Sequence, residues 1–182
     1  MINKSGTRKL VFITATIVFA AAMEFSSPTM AEGAVAGEIN KIIGSTSNVR
    51  IVSGEGNDIN FAAEGKRDTT IISQGGNDFN NATFNQGNVR IISGPGEDDN
   101  LVGINGGATT VDSGPGDDRN LVSRNEGNTR LTSGPGNDEN TIADETSQGS
   151  IVDCGPGEDT VILVGPSNPK ISNNCETIQQ LQ

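Results

Sequence analysis

Apolar and polar positions alternate in short bursts that repeat down the chain. Ile51, Ile71, Ile91, Val111, Leu131 and Val152 each stand two residues before a glycine-rich phrase. Val49, Thr69, Val89, Thr109, Thr129 and Ser150 stand two residues earlier again, small or β-branched in every copy. Between these two sets lie Arg50, Thr70, Arg90, Thr110, Arg130 and Ile151, mostly polar. Alternation of period two with β-branched residues predicts a strand with one buried face. Ser53, Ser73, Ser93, Ser113, Ser133 and Cys154 then point inward as well, in keeping with their small size.

The phrases that follow are Ser53-Gly-Glu-Gly-Asn-Asp58 and its equivalents ending at Asp78, Asp98, Asp118, Asp138 and Asp159. Five begin 20 residues apart, and the sixth follows after 21. Gly54/Gly56, Gly75/Gly76, Gly94/Gly96, Gly114/Gly116, Gly134/Gly136 and Gly155/Gly157 break the strand and permit positive φ. Pro95, Pro115, Pro135 and Pro156 pre-set a turn dihedral. A second short strand follows each aspartate, as in Asn100-Leu-Val and Asn120-Leu-Val. A polar segment containing Gly87, Gly107 or Gly127 then returns the chain to the start of the repeat. A repeat of 20 to 50 residues signals a stacked architecture rather than an ordinary core. Two strands and two turns per repeat predict an all-β parallel solenoid of about six 20-residue coils.

Stacking places equivalent residues about 4.8 Å apart. Asn60, Asn80, Asn100, Asn120 and Asn140 would then either bond to one another as a ladder or cap their own turns as Asx residues do. The six aspartates, if aligned, repel their neighbours by about 1 kcal/mol per pair in water and by more where water is excluded. Ca2+ relieves that strain, because it takes 6–8 oxygen ligands from carboxylates and carbonyls. One Gly-x-Gly-x-Asp turn supplies about three of those oxygens and two adjacent turns complete a shell, giving up to about five sites between six turns.

Composition narrows the function. Residues 1–9 carry Lys4, Arg8 and Lys9, an apolar stretch runs from Leu10 to Met23, and small residues offer cleavage after Ala22 or Ala31. This is the layout of a secretory signal peptide, with an apolar run short for a membrane span. The expected organisation is a signal peptide at 1–31, an N-terminal linker or cap at 32–47, solenoid repeats at 48–165 and a C-terminal cap at 166–182. Removing residues 1–31 deletes Lys4, Arg8, Lys9 and Glu24 and deepens the net charge from −11 to −13. Such a surface repels nucleic acid and anionic lipid and attracts cations. No nucleic-acid partner and no membrane association after cleavage are expected. Cys154 and Cys175 are the only cysteines, and in an exported chain they are expected to pair. That bond would close a loop of about 20 residues worth roughly 3 kcal/mol.

The phrases resemble those of the RTX family of secreted bacterial proteins, whose Gly-Gly-x-Gly-x-Asp-x-apolar-x nonapeptide binds Ca2+ between the stacked turns of a β-roll. The match covers Gly54/Gly56/Asp58 and its five equivalents, within about residues 48–165. The period of 20, against the 9 or 18 of that family, implies one edge of binding turns and a single row of ions. The apolar position two after the aspartate holds asparagine in five copies, and only Val161 fits the family pattern. Gln74 replaces the first glycine in the second copy. The ending around Asp153–Val161 and Asn174–Glu176 looks like a terminal unit of RTX-like proteins, where a disulfide would pin the cap.

The resemblance implies a secreted, non-catalytic protein. Histidine is absent, and no residue breaks the repeat to build a cleft. The repeats are also similar to calcium-dependent ice-binding solenoids of adhesins, but Glu55, Gly75, Pro95, Pro115, Pro135 and Pro156 stand where those carry threonine. Exposed coil ends would allow self-association or contact with a cell surface or matrix. Arg50, Arg90 and Arg130 are expected to pair with surface acids.

Overall fold

The side chains predicted to face inward do so, and their burial sets the architecture. The computed structural model describes residues 29–32, 37–143 and 149–182. The proposed signal-peptide region up to residue 28 lies outside them. The chain winds in strand pairs: β1 (Thr29–Glu32) with β2 (Ile39–Ile43), β3 (Val49–Val52) with β4 (Ile59–Ala63), and β5 (Thr69–Ile72) with β6 (Phe79–Thr83). It continues through β7 (Val89–Ile92) and β8 (Asp99–Asn105), then β9 (Thr109–Asp112) and β10 (Arg119–Asn125). After these come β11 (Thr129–Thr132) and β12 (Glu139–Ala143), β13 (Ile151–Asp153) and β14 (Thr160–Val164), and β15 (Lys170–Ile171) and β16 (Thr177–Leu181).

Odd-numbered strands form one parallel sheet of eight, and even-numbered strands form the other. Each strand pairs with its equivalent one coil away, so Ile51, Ile71, Ile91 and Val111 stack in one register column. The result is an all-β parallel solenoid of about seven coils, with no helix among the described residues.

About seven coils form instead of about six because both flanking segments add strands. Within 32–47, β2 pairs with β4 and sets Asn40 beside Asn60. Within 166–182, β15 and β16 extend the two sheets. Neither segment carries the glycine–aspartate phrase, which is why the repeat count missed them. A cut after Ala22 leaves β1 whole, whereas one after Ala31 divides it.

The core is a thin column. Ile51, Ile71, Ile91, Val111, Leu131 and Val152 face Ile42, Ala62, Ala82, Val102, Val122 and Ile142 across the two sheets, all at most 1% exposed. Each buried aliphatic side chain contributes about 1.5–3 kcal/mol. Aliphatic side chains from both sheets fill this column without aromatic bulk, in keeping with the 3% aromatic content of the chain.

Beside this column runs a polar one. Asn40, Asn60, Asn80, Asn100, Asn120 and Asn140 form a side-chain ladder, each Nδ2 donating to the next Oδ1 at 3.0 Å. The ladder outcome therefore holds over local capping. Ser73, Ser93, Ser113 and Ser133 donate into it at 2.7–2.9 Å. The row ends where Asn140 Nδ2 reaches Cys154 Sγ at 3.8 Å. Cys154 and Cys175 form the expected disulfide, with Cα atoms 5.4 Å apart.

Candidate functional site

Each glycine-rich turn delivers its aspartate to the inside of the bend rather than to solvent. Asp58, Asp78, Asp98, Asp118, Asp138 and Asp159 are all no more than 2% exposed. They stand in one file at one edge of the solenoid, as the spacing predicted. One oxygen of each is already committed. The backbone N–H of Asp58 donates to Asp78 Oδ1 at 2.8 Å, and the same bond recurs from Asp78 to Asp98, Asp98 to Asp118, Asp118 to Asp138 and Asp138 to Asp159.

Two glutamates close the file. The N–H of Glu38 donates to Asp58 Oδ1 at 2.6 Å, and the N–H of Asp159 donates to Glu176 Oε2 at 2.9 Å. Glu38 lies one period before Asp58, and Glu176 follows Asp159 in register with Thr160 and Thr177. The repeated phrase does not mark them, since no Gly-x-Gly precedes either residue. Their register with the second strand was the available signal.

The second oxygen of each aspartate is unsatisfied. Oδ2 of all six is buried and accepts no hydrogen bond. A buried unpaired acceptor costs about 1–3 kcal/mol, more when charged. Burial accordingly pushes the carboxyls above their ordinary range, to about 8 for Asp118, about 7 for Asp98 and about 6 for Asp78 and Asp138. The amide bond from the preceding coil works against this shift, while neighbouring aspartates add to it. Asp58 and Asp159, at the ends of the file, are raised for the same primary reason.

The glycines shape the bend around these carboxylates. Gly116 has φ 147°, and a Cβ there would sit 1.7 Å from the carbonyl oxygen of Gly96. The contact recurs between Gly136 and Gly116 at 1.8 Å and between Gly76 and Gly56 at 2.1 Å. Glycine carbonyls therefore point along the stack toward the next coil. The residue between the glycines uses its carbonyl differently, as in Gly96 N–H to Pro115 O at 2.9 Å. Gln74 holds φ 84° where later copies have Gly94, Gly114, Gly134 and Gly155. Gly54, Gly75 and Gly157 do not take positive φ.

Residues just before the aspartates form a solvent-facing row with bonds running the opposite way. Asn77 N–H donates to Asn57 Oδ1 at 2.9 Å, Glu97 N–H to Asn77 Oδ1 at 3.1 Å and Asn137 N–H to Asp117 Oδ1 at 2.8 Å. A shallow acidic depression of about 470 Å3 runs over this edge, between Asp78, Asp98 and Asp117. Because the carboxylates stand in single file, no three acidic, histidine or cysteine side chains converge on one point among the described residues. A cation here would complete its shell from backbone carbonyls and water.

A second buried asparagine column was not read from the sequence. Asn85, Asn105 and Asn125 line the opposite turn, where Asn105 Nδ2 donates to Asn125 Oδ1 at 3.2 Å. Their 20-residue spacing, each two residues before Gly87, Gly107 or Gly127, was the available signal. Among the described residues, Arg50, Arg90 and Arg130 have no acidic partner. The ion pair found among the described residues is Arg119–Glu139 at 3.3 Å, on the other sheet.

Comparison with known proteins adds no relative: no family model, curated sequence or solved structure matches this chain.

Proposed function

We propose that this chain is an exported, non-catalytic, RTX-like solenoid whose folded state is stabilised by Ca2+ held between stacked Gly-x-Gly-x-Asp turns. The observation that carries this reading is the file of six buried Oδ2 atoms without partners, one per coil. A hard divalent cation is the group that such oxygens fit, since it neutralises two neighbouring carboxylates and accepts carbonyl ligands. Asp Oδ2 atoms from adjacent coils and glycine carbonyls directed along the stack would hold it.

Ca2+ supplies charge neutralisation and cross-links one coil to the next. Binding of that kind favours the folded state only, so it acts as a folding switch on export into a calcium-rich medium. The disulfide fits an oxidising compartment. The absence of histidine and the regular repeat support a binding rather than a catalytic role.

Calorimetric titration of the chelator-stripped protein with CaCl2 tests the reading, alongside melting curves in Ca2+ and in EGTA. Several bound ions per chain and a large rise in melting temperature are expected. An unchanged β signal and unchanged melting temperature in excess EGTA overturn it.

A further inference from the structure

The first sheet carries a second periodicity that the aspartate file leaves unused. Arg50, Thr70, Arg90, Thr110, Arg130, Ile151 and Lys170 share one register column. Val49 and Ile51 on either side of Arg50 are buried, as are their equivalents along the sheet, so this column faces outward. Arg90, Arg130 and Lys170 are exposed and Arg50 is half-buried. A cation therefore recurs at every second coil, about 9.6 Å apart, with threonine between cations at two positions.

These cations are conspicuous in a chain of net charge −11. None of the four makes an ion pair with a described residue. The adjacent outward column runs Val52, Ile72, Ile92, Asp112, Thr132 and Asp153, apolar beside Arg50, Thr70 and Arg90 and acidic at two positions further along, so the four cations outnumber these two acids. The face is two outward side chains wide, bounded by a turn on each side. It has room for one extended chain rather than for a plane.

We propose that this column binds a linear anionic polysaccharide bearing one carboxylate per two-sugar repeat. One sugar of an extended chain is comparable in length to one coil step of about 4.8 Å. Its carboxylates then meet Arg50, Arg90 and Arg130 in turn, each presenting a fork of donors matched to a carboxylate. Thr70 and Thr110 meet the hydroxyls of the uncharged sugars, Ile72 and Ile92 meet their C–H faces, and Asp112 and Thr132 further along accept from or donate to sugar hydroxyls. Duplex nucleic acid carries one charge per about 1.7 Å of axis, far denser than the stripe, and the surrounding acids repel it. A membrane plane would meet the acidic edge as well as the stripe. This inference does not depend on the aspartate file.

The test is affinity electrophoresis and calorimetry on the full chain in Ca2+-containing buffer, with hyaluronan as the probe. Salt-sensitive binding is expected. R50Q/R90Q/R130Q should weaken it by at least about tenfold, while R124Q on the opposite turn leaves it unchanged. Circular dichroism checks that the triple variant folds. If it does not, R90Q and R130Q singly should each weaken binding by about threefold. No binding at low salt, or equal loss in R124Q, overturns the proposal. Equally tight binding of polygalacturonate, charged on every sugar, overturns the spacing argument. Arginine-dependent binding of phosphatidylserine vesicles or single-stranded DNA in place of hyaluronan overturns the assignment to a polysaccharide.

Discussion

The backbone N–H of Asp98 donates to Oδ1 of Asp118 at 2.8 Å, one coil away, and Oδ2 of Asp118 is left buried without a partner. One carboxylate thus does two opposed things. Its first oxygen fastens coil to coil, and its second adds an unsatisfied charge to the interior.

Asp118→Asn separates these effects, because the amide oxygen keeps the bond to Asp98 while the charge disappears. In EGTA at pH 8 the variant should be more stable than the parent by on the order of 1–3 kcal/mol. In Ca2+ it should bind fewer ions and gain less from them. Melting curves in both buffers, with ion counts by atomic emission, check both halves. A variant less stable than the parent in EGTA would show that the charge carries no cost.

Stability without cations should fall as pH rises. Asp118 titrates at about 8 and Asp98 at about 7 in the fold, against an unperturbed value of 3.8. The folded state holds these protons more tightly than the unfolded chain. The resulting stability is fully present below about pH 4 and is lost between about pH 4 and pH 8. Chemical denaturation in EGTA at several pH values should show that decline. Saturating Ca2+ should flatten it, since the ion takes the proton's place.

Backbone demands at the turn should be readable in two opposite substitutions. Gln74→Gly relieves a non-glycine residue at φ 84° and should stabilise by about 1 kcal/mol. Gly116→Ala drives a Cβ to 1.7 Å from Gly96 O and should cost more than about 3 kcal/mol. Urea denaturation of both variants provides the comparison. Equal stabilities would mean that the stack adjusts its coil spacing freely.

The asparagine ladder should behave as a unit. Asn100→Ala removes one hydrogen-bond partner each from Asn80 Nδ2, from Asn120 Oδ1 and from the hydroxyl of Ser93. The expected loss is on the order of 3 kcal/mol. Asn81→Ala, on the outer face of the same sheet, should cost much less. Thermal unfolding of the pair measures the difference.

Much of the architecture was legible because each feature of the repeat is local. Ile51 and its equivalents alternate with polar residues, which decides the inward face of every odd strand. Gly-x-Gly before Asp58 and its equivalents decides where the chain bends. The 20-residue spacing decides which residues stack. Glu38, Asn40 and Glu176 escaped notice because they occupy the right register without the phrase that marks it.

The sequence alone determined the solenoid, the alignment of the six aspartates and the pairing of Cys154 with Cys175. It left open the choice between an asparagine ladder and local caps. It also left open the direction in which each carboxylate turns. Those depend on the distance and orientation of a neighbour 20 residues away, which exist only once the coils are stacked. Tertiary structure turned Asp Oδ1 to the preceding coil's amide, buried Oδ2 unpaired and, among the described residues, set Arg50, Arg90 and Arg130 without acids. The physical reason is that a local pattern specifies which residues meet, while burial and backbone geometry specify which of their atoms are satisfied.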